Sequence, residues 1–99
     1  MKRGGSVYIM TNKHHTTLYV GVTSQLYYRV IDHQEKLYPN SFTARYNLNK
    51  LIFYEDYGSI LEAIAREKEI KGWVRARKVA LINEMNSEWR DLFEDMKDW

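Results

Sequence analysis

The sequence predicts an α+β fold, in which a three-stranded antiparallel sheet is flanked by helices. Two segments near the N-terminus alternate apolar and polar residues, as half-buried strands do, and the polar stretch between them indicates a hairpin. A helical pattern, a third strand and three more helical patterns follow. The predicted order is therefore β-β-α-β-α-α-α, in a single domain over 1–99 with its core at about 5–82.

The strands are placed by the alternation of side-chain direction. Val7 and Ile9 point to one face of the first strand, and Leu18 and Val20 point to one face of the second. The third segment is apolar almost throughout, so we expect a more buried strand there. The predicted strands are 6–10, 17–22 and 51–55, with the hairpin loop at 11–16.

The helices are placed by apolar residues at helical spacing. The first is expected at about 25–36 with Ser24 as its N-cap, and the second begins after Ser59, which has a glutamate at the capping-box position. The last helix is expected at about 87–96. The segment 42–48 is either a short helix or a loop.

The composition excludes several kinds of site. The 99 residues include no cysteine, which removes disulfides, zinc ribbons and thiol nucleophiles, and no segment is apolar for long enough to span a bilayer. A glycine-rich phosphate loop and the carboxylate cluster of a two-metal nuclease are also missing. Hydrophobic residues make up 44% of the chain, enough for an ordinary core. Because no segment can span a bilayer and the basic N-terminal residues lead into a strand pattern and not a secretory apolar region, we expect a soluble, cytoplasmic protein.

Charge is distributed unevenly along the chain, although the net charge is only +2. The segment 71–78 carries four basic residues and no acid, whereas the chain from Glu84 onward is acidic. This contrast indicates one phosphate-facing side, with Lys71, Arg75 and Lys78 as candidate contacts to nucleic acid. The alternative is a solvated helix face with no partner.

Two tyrosines interrupt the apolar pattern of the hairpin. Tyr8 and Tyr19 point away from the apolar faces of their strands, and in a hairpin symmetric about residues 13–14 they lie directly opposite each other. Gly21 shares the face of Tyr19, and a glycine within a strand often marks the close approach of a ligand or of backbone. The alternative is an aromatic pair packed beneath a helix.

Arg29 and His33 lie four residues apart on the first predicted helix and therefore share a face. His33 falls on the apolar line of that helix, where a lone histidine is usually structural. Because an arginine lies one turn away, the second interpretation is a shared anion-binding site, in which both side chains donate to phosphate.

Glu67 lies three residues after Ile64 and three before Ile70, on the apolar stripe of its helix. A buried carboxylate costs free energy unless it is paired or bound to a metal ion. Two interpretations follow: an ion pair with Arg29 or another arginine, or a metal ligand.

Taken together, these residues resemble the GIY-YIG nuclease superfamily. The tripeptides Ser6-Val7-Tyr8 and Tyr19-Val20-Gly21 resemble its two signature strands, and the resemblance continues through Arg29 and His33 to Glu67. It covers most of the chain and is greatest for short bacterial proteins that consist of this domain alone.

Some positions depart from the family pattern. The first tripeptide begins Ser6-Val7 and not Gly-Ile, although it keeps its tyrosine, and Val22 stands where the excinuclease C subunit carries a lysine. His33 matches a histidine found in some branches, such as the homing endonucleases.

The resemblance implies an endonuclease that hydrolyses phosphodiester bonds in DNA, in repair or processing, with one Mg²⁺ or Mn²⁺ ion. Glu67 would hold the ion, and Arg29 would neutralise charge in the transition state. Tyr19 would take a proton from the attacking water, and Tyr8 would orient the water or the phosphate. His33 would assist as a base or hold the phosphate.

Two other functions are compatible with the sequence. A nucleic-acid-binding module that does not cut would keep the basic segment and the aromatic residues. A protein-interaction domain would require Tyr27, Tyr28 and Tyr38 to form one contiguous exposed patch.

Overall fold

The structure is a computed structural model that describes residues 4–97. In chain order its elements are β1 (Gly5–Thr11), β2 (Leu18–Thr23), α1 (Leu26–Gln34), α2 (Phe42–Arg45), β3 (Lys50–Tyr57), α3 (Ile60–Lys71), α4 (Arg75–Met85) and α5 (Phe93–Met96). The α+β fold with a three-stranded antiparallel sheet is confirmed. The ambiguous segment 42–48 begins with the short helix α2. Within the described range, no helix is long and apolar enough to cross a lipid bilayer.

The first strand is the centre of the sheet, because the strand order is β2-β1-β3 with both pairings antiparallel. Every residue of β1 is buried. Alternation then sorts its side chains into two cores. Tyr8 and Met10 pack with α1 and α5 on one face, whereas Val7 and Ile9 pack with α3 and α4 on the other. Helices therefore cover both faces of the sheet, and the predicted division of the strand residues between the faces is correct.

The register of the hairpin differs from the prediction. Tyr8 pairs with Gly21 and lies diagonally from Tyr19 on the same face, instead of directly opposite it. The loop is centred one residue later than a symmetric turn, because the side chain of Asn12 closes it. Its carboxamide oxygen accepts the backbone N–H of Thr16 at 2.8 Å, and its nitrogen donates to the hydroxyl of the same residue at 2.6 Å. Such side-chain bonds set a register that alternation alone does not specify.

The helix caps agree with the prediction at one of the two sites. The N-cap residue of α1 is Gln25 and not Ser24, because the hydroxyl of Thr23 accepts the N–H of Gln25 at 3.0 Å and delays the start of the helix. Ser59 caps α3 as predicted, and its hydroxyl accepts the N–H of Leu61 at 3.2 Å.

The last predicted helix, at about 87–96, is reduced to the four residues of α5. Asn86 is buried, and its Nδ2 donates to the carbonyl of Ile52 at 3.1 Å and to that of Arg90 at 2.8 Å. These bonds tie a turn to the sheet in which Trp89 has a φ of 53°, a left-handed conformation outside the helical region. A buried amide that competes for backbone partners therefore replaces the first half of the predicted helix.

Candidate active site

Three rings from three different elements meet on the face of the sheet beneath α1. The ring centroids of Tyr8 and Tyr19 lie 6.2 Å apart, and each lies 5.7 Å from the imidazole of His33. Gly21 leaves room for this arrangement. A Cβ at Gly21 would lie 2.5 Å from the hydroxyl oxygen of Tyr8 and 2.9 Å from Cε2 of Tyr19. The glycine directly across from Tyr8 therefore leaves the space that both phenol rings occupy next to β2.

Hydrogen bonds connect the buried tyrosine to α2. The hydroxyl oxygen of Tyr8 lies 2.8 Å from Nε2 of His33, and Nδ1 of the same imidazole lies 2.9 Å from Oγ1 of Thr43. That threonine hydroxyl lies 3.2 Å from Oγ of Ser41, the N-cap residue of α2. Both ring nitrogens of His33 therefore have partners, which fix the orientation of the imidazole.

Burial and charge determine the protonation of this group. Tyr8 is 1% exposed. Its burial, and then the nearby Tyr19, raise the pKa of Tyr8 well above its ordinary value, although the guanidinium of Arg29 opposes this rise. Burial, and then the charge of Arg29, lower the pKa of His33, while Asp32 opposes the decrease. At neutral pH the structure therefore holds a neutral phenol against a neutral imidazole.

Arg29 lies on α1, one turn before His33. Its Nη1 is 3.9 Å from Oδ2 of Asp32, and its Cζ is 5.9 Å from the ring centroid of Tyr38. The side chain is 40% exposed, so donors of the guanidinium still face solvent. A guanidinium anchored on one side and open on the other is suited to binding phosphate in a bidentate manner.

A cavity of about 430 Å³ opens beside these side chains. Its walls combine cationic, hydroxyl and aromatic groups with a carboxylate. The lining residues are Tyr19, Arg29, Asp32, His33, Lys36, Tyr38, Ser41, Phe42 and Thr43. Tyr8 is not among them and lies behind His33, so of the two signature tyrosines only Tyr19 faces the cavity. The structure thus brings together the four residues predicted from β1, β2 and α1. Tyr19, Arg29 and His33 line the cavity, and Tyr8 is buried in contact with His33.

Glu67 belongs to α3, whose buried residues Ala63 and Ile70 lie in the core on the other face of the sheet. It is not among the residues that line the cavity. Its side chain is 13% exposed, and its Oε2 lies 3.0 Å from Nζ of Lys71, one turn along the helix. The expected partner, an arginine, is therefore replaced by a lysine of the same helix.

The donor set of the described residues can be tested against a metal ion. Within 4–97, no three His, Asp or Glu side chains are grouped so that they could hold one. Mg²⁺ is commonly bound by one or two carboxylates, with water and substrate phosphate completing its shell. A single largely buried carboxylate such as that of Glu67 fits this type of site and does not fit an all-protein cage.

The three predicted nucleic-acid contacts have different surroundings. Lys71 pairs with Glu67, as described above. Arg75 donates to the backbone carbonyl of His15 at 2.7 Å, which ties α4 to the hairpin loop. Lys78 has no ion-pair partner in the described part of the chain. Lys78 is thus the member of the set with a free cationic group.

Several residues of the cavity were not predicted from the sequence. Thr43 and Ser41 lie at a segment that the pattern left undecided between helix and loop, and Phe42 shares that segment. Asp32 and Lys36 follow Arg29 at helical spacing, which was a usable signal because side chains three or four apart share a face. The tyrosines proposed for a protein-binding patch are divided: Tyr27 packs on Tyr28 and Phe93, whereas Tyr38 lies at the cavity.

The model of the GIY-YIG catalytic domain matches residues 4–80, which is most of the chain. The chain therefore belongs to the GIY-YIG family, as the resemblance predicted. Membership implies a nuclease-type function on a nucleic-acid substrate, and nucleases of this family are generally metal-dependent.

Among solved structures, the fold is similar to the solution NMR structure of the UPF0213 protein BH0048 from Bacillus halodurans, with a TM-score of 0.57. The two sequences are 23% identical, and the match covers 89% of this chain and 92% of that chain. At this identity the likeness shows the fold. No curated protein matches the chain significantly.

Proposed function

We propose that this protein is a metal-dependent endonuclease that hydrolyses phosphodiester bonds in DNA, in repair or processing. The observation that supports this proposal most directly is that Tyr19, Arg29 and His33 line one cavity in a chain of the GIY-YIG family. These groups are suited to phosphodiester hydrolysis, because a cation stabilises the charge that develops on the phosphate, and a hydroxyl group or an imidazole can move a proton.

Arg29 binds the scissile phosphate and neutralises the charge that develops on its oxygens in the transition state. Lys36, which lines the same cavity, adds a second positive charge near the phosphate. The hydroxyl oxygen of Tyr19, which faces the cavity, accepts a proton from the attacking water and releases its own proton to solvent. The water oxygen bonds to phosphorus, the ester bond on the opposite side breaks, and the departing oxygen takes a proton from solvent.

Tyr8 and His33 have supporting roles in this mechanism. Tyr8 is too deeply buried to contact a substrate, and its raised pKa keeps it protonated. Its hydroxyl therefore holds Nε2 of His33, while Thr43 holds Nδ1. The imidazole is kept neutral and fixed in orientation as one wall of the cavity, where it packs edge-on against Tyr19.

Glu67 is the proposed ligand of one Mg²⁺ or Mn²⁺ ion. When bound, the ion would supply a positive charge that polarises a phosphate oxygen. In the free protein the carboxylate is paired with Lys71. Binding of an ion would therefore exchange one cationic partner for another. Lys78 is the proposed contact to a neighbouring phosphate of the nucleic acid.

The test is cleavage of plasmid, branched DNA, single-stranded DNA and RNA in the presence of Mg²⁺, Mn²⁺ or EDTA. We expect DNA cleavage with either metal and none with EDTA. Arg29→Ala should reduce the rate by roughly 10²- to 10³-fold, the usual cost of losing one preorganised electrostatic donor. Arg90→Ala is the matched control, since Arg90 pairs with Asp95 on the surface and lies outside the cavity lining, and its rate should be unchanged.

The same experiment separates the enzyme from a binding module. If the wild-type protein binds the nucleic acids but cuts none of them with either metal, the chain is a nucleic-acid-binding module and the proposed activity is wrong. Near-normal cleavage by Arg29→Ala would remove the arginine from the mechanism.

A further inference from the structure

Large aromatic side chains are exposed on one short segment beside the cavity. Tyr38 is 59% exposed, Phe42 47% and Tyr46 48%. All three lie between the end of α1 and the start of β3, in a stretch that also contains α2. Contiguous exposed apolar surface on a small protein usually marks a binding site, because its exposure costs free energy without contributing to the core.

The exposed rings continue the aromatic row that begins inside the cavity. The ring of Phe42 is stacked against Tyr19, with centroids 6.3 Å apart and planes 30° apart. Tyr46, the C-cap residue of α2, lies 4.7 Å from Phe42 between ring centroids. A row of three rings, which we call the aromatic platform (Tyr19, Phe42 and Tyr46), therefore extends from the proposed base to the surface.

The platform is held in place by its surroundings. Thr43 and Ala44, on the inner side of α2, are buried, and Ser41 caps the helix by accepting the N–H of Ala44. After the helix, the side chain of Asn47 accepts from Nζ of Lys36 at 2.6 Å. The outward rings are thus presented on a fixed support, which lowers the entropy cost of binding a ligand.

Charge and position indicate the chemistry of the ligand. Arg29 and Lys36 line the cavity next to the platform. A ligand that contacts both the platform and these cations would combine a planar ring with a neighbouring anion. A nucleotide has this composition, since its base can stack on aromatic rings while its phosphate binds cations. Within a duplex, each base is covered by its neighbours, so only an unpaired base offers a free face for stacking.

We infer that the aromatic platform binds an unpaired nucleobase next to the phosphate held by Arg29, so that the substrate is a nucleic acid with unpaired nucleotides at the site of cutting. This inference rests on the proposed function, because it takes the cavity to be the phosphodiester site. Single strands, flaps and bulges share the required chemistry, and fully paired duplex lacks it.

The test is equilibrium binding, measured by fluorescence anisotropy with EDTA present so that binding is separated from metal-dependent cutting. The probes are one labelled oligonucleotide as a single strand, as a perfect duplex, and as a duplex with a central bulge. We expect the single strand and the bulge to bind more tightly than the duplex. Phe42→Ala should weaken binding of both by roughly 5- to 150-fold, the range for losing one stacked base, and should leave duplex binding unchanged.

Two further variants make the result interpretable. Phe42→Tyr keeps a ring at the same position and should restore binding of the single strand. Leu61→Ala removes an equally exposed apolar side chain, 73% exposed, from α3 on the other face of the sheet, and should have no effect. Thermal melts of each variant show whether it is folded, which we expect because Phe42 is only half-buried.

The outcomes for the two proposals differ. If Phe42→Ala binds single strand and duplex as the wild-type protein does, or loses affinity for both equally, the platform does not read unpaired bases, whether or not the protein cuts DNA. If the protein binds single strands through Phe42 but cuts nothing, the inference about the platform stands and the proposed hydrolysis falls.

Discussion

The hydroxyl oxygen of Tyr8 lies 2.8 Å from Nε2 of His33, in a position where the tyrosine has almost no contact with solvent. The tyrosine of the first strand therefore contacts the imidazole, while its burial keeps its hydroxyl group away from solvent. The other ring nitrogen is held by Thr43, so the orientation of His33 depends on one residue from the central strand and one from α2.

Replacement of Thr43 by valine tests this dependence. Valine keeps the volume but removes the hydrogen-bond partner of Nδ1 of His33, which is partly buried, and losing such a hydrogen bond costs about 0.5–1.5 kcal/mol. We expect a loss of stability in that range, a lower rate of cleavage and an altered pH profile. Thr43→Ser restores the hydroxyl and should restore both the rate and the profile. A Thr43→Val protein with the wild-type pH profile would mean that the threonine does not position the imidazole.

The pKa of His33 provides a second prediction, which NMR titration of the imidazole measures directly. Burial and the charge of Arg29 hold this pKa below its ordinary value of 6.5. Arg29→Ala should therefore raise the pKa, whereas Asp32→Asn should lower it further because the carboxylate opposes the decrease. A pKa that does not respond to either change would contradict the electrostatic contribution that we assign to these neighbours.

The same pKa has a consequence for stability. Because folding lowers the pKa of His33, the unfolded chain binds the proton first as the pH decreases. The free energy of unfolding should therefore decrease as the pH falls below about 6.5, until the folded form is also protonated. His15, whose pKa is lowered by burial and by Lys50, contributes in the same direction. His33→Asn should reduce the pH dependence in this range but not abolish it, as denaturant titrations at several pH values can show.

Gly21→Ala tests the close approach between β2 and Tyr8. The added methyl group would lie 2.5 Å from the Tyr8 hydroxyl oxygen, so the phenol must shift from the position in which it contacts His33. We expect a loss of about 1–3 kcal/mol, as for other overpacked sites, together with reduced cleavage. Gly72→Ala is the control, since Gly72 has a φ of −78° and the nearest heavy atom to its new Cβ would lie at 3.5 Å. Equal stability of the two variants would show that the space at Gly21 is not required.

Glu67→Gln separates a metal ligand from a structural ion pair. Lys71 is half exposed, whereas the side chain of Glu67 is only 13% exposed, and a largely buried carboxylate without a partner costs free energy. Without metal, Glu67→Gln should therefore keep nearly the wild-type stability, whereas Lys71→Met should be less stable. An ion that binds only the folded state raises the melting temperature. Only Glu67→Gln should lose this effect of Mn²⁺, together with metal-dependent cleavage. If the two variants behave alike in every assay, the carboxylate serves the ion pair alone.

The sequence predicted those features that depend on the direction of neighbouring side chains along one element. Alternation placed Tyr8 opposite in direction to Val7 and Ile9, and helical spacing placed Arg29 and His33 on one face, because both periods are properties of the local backbone. The N-cap at Ser59 followed from the same kind of short-range hydrogen bond. The resemblance to the family then indicated that Tyr8, Arg29 and His33 belong to one site.

The tertiary structure decided how the elements meet. The pairing of Tyr8 with Gly21 depends on the side chain of Asn12 in the hairpin loop, and the partner of His33 comes from α2, ten residues further along the chain. Likewise, Asn86 bonds to a strand 34 residues away and prevents the helix that its own neighbourhood favours. The periodicity of apolar residues gives no information on these hydrogen bonds. Their donors and acceptors come within reach of each other only when the chain has folded.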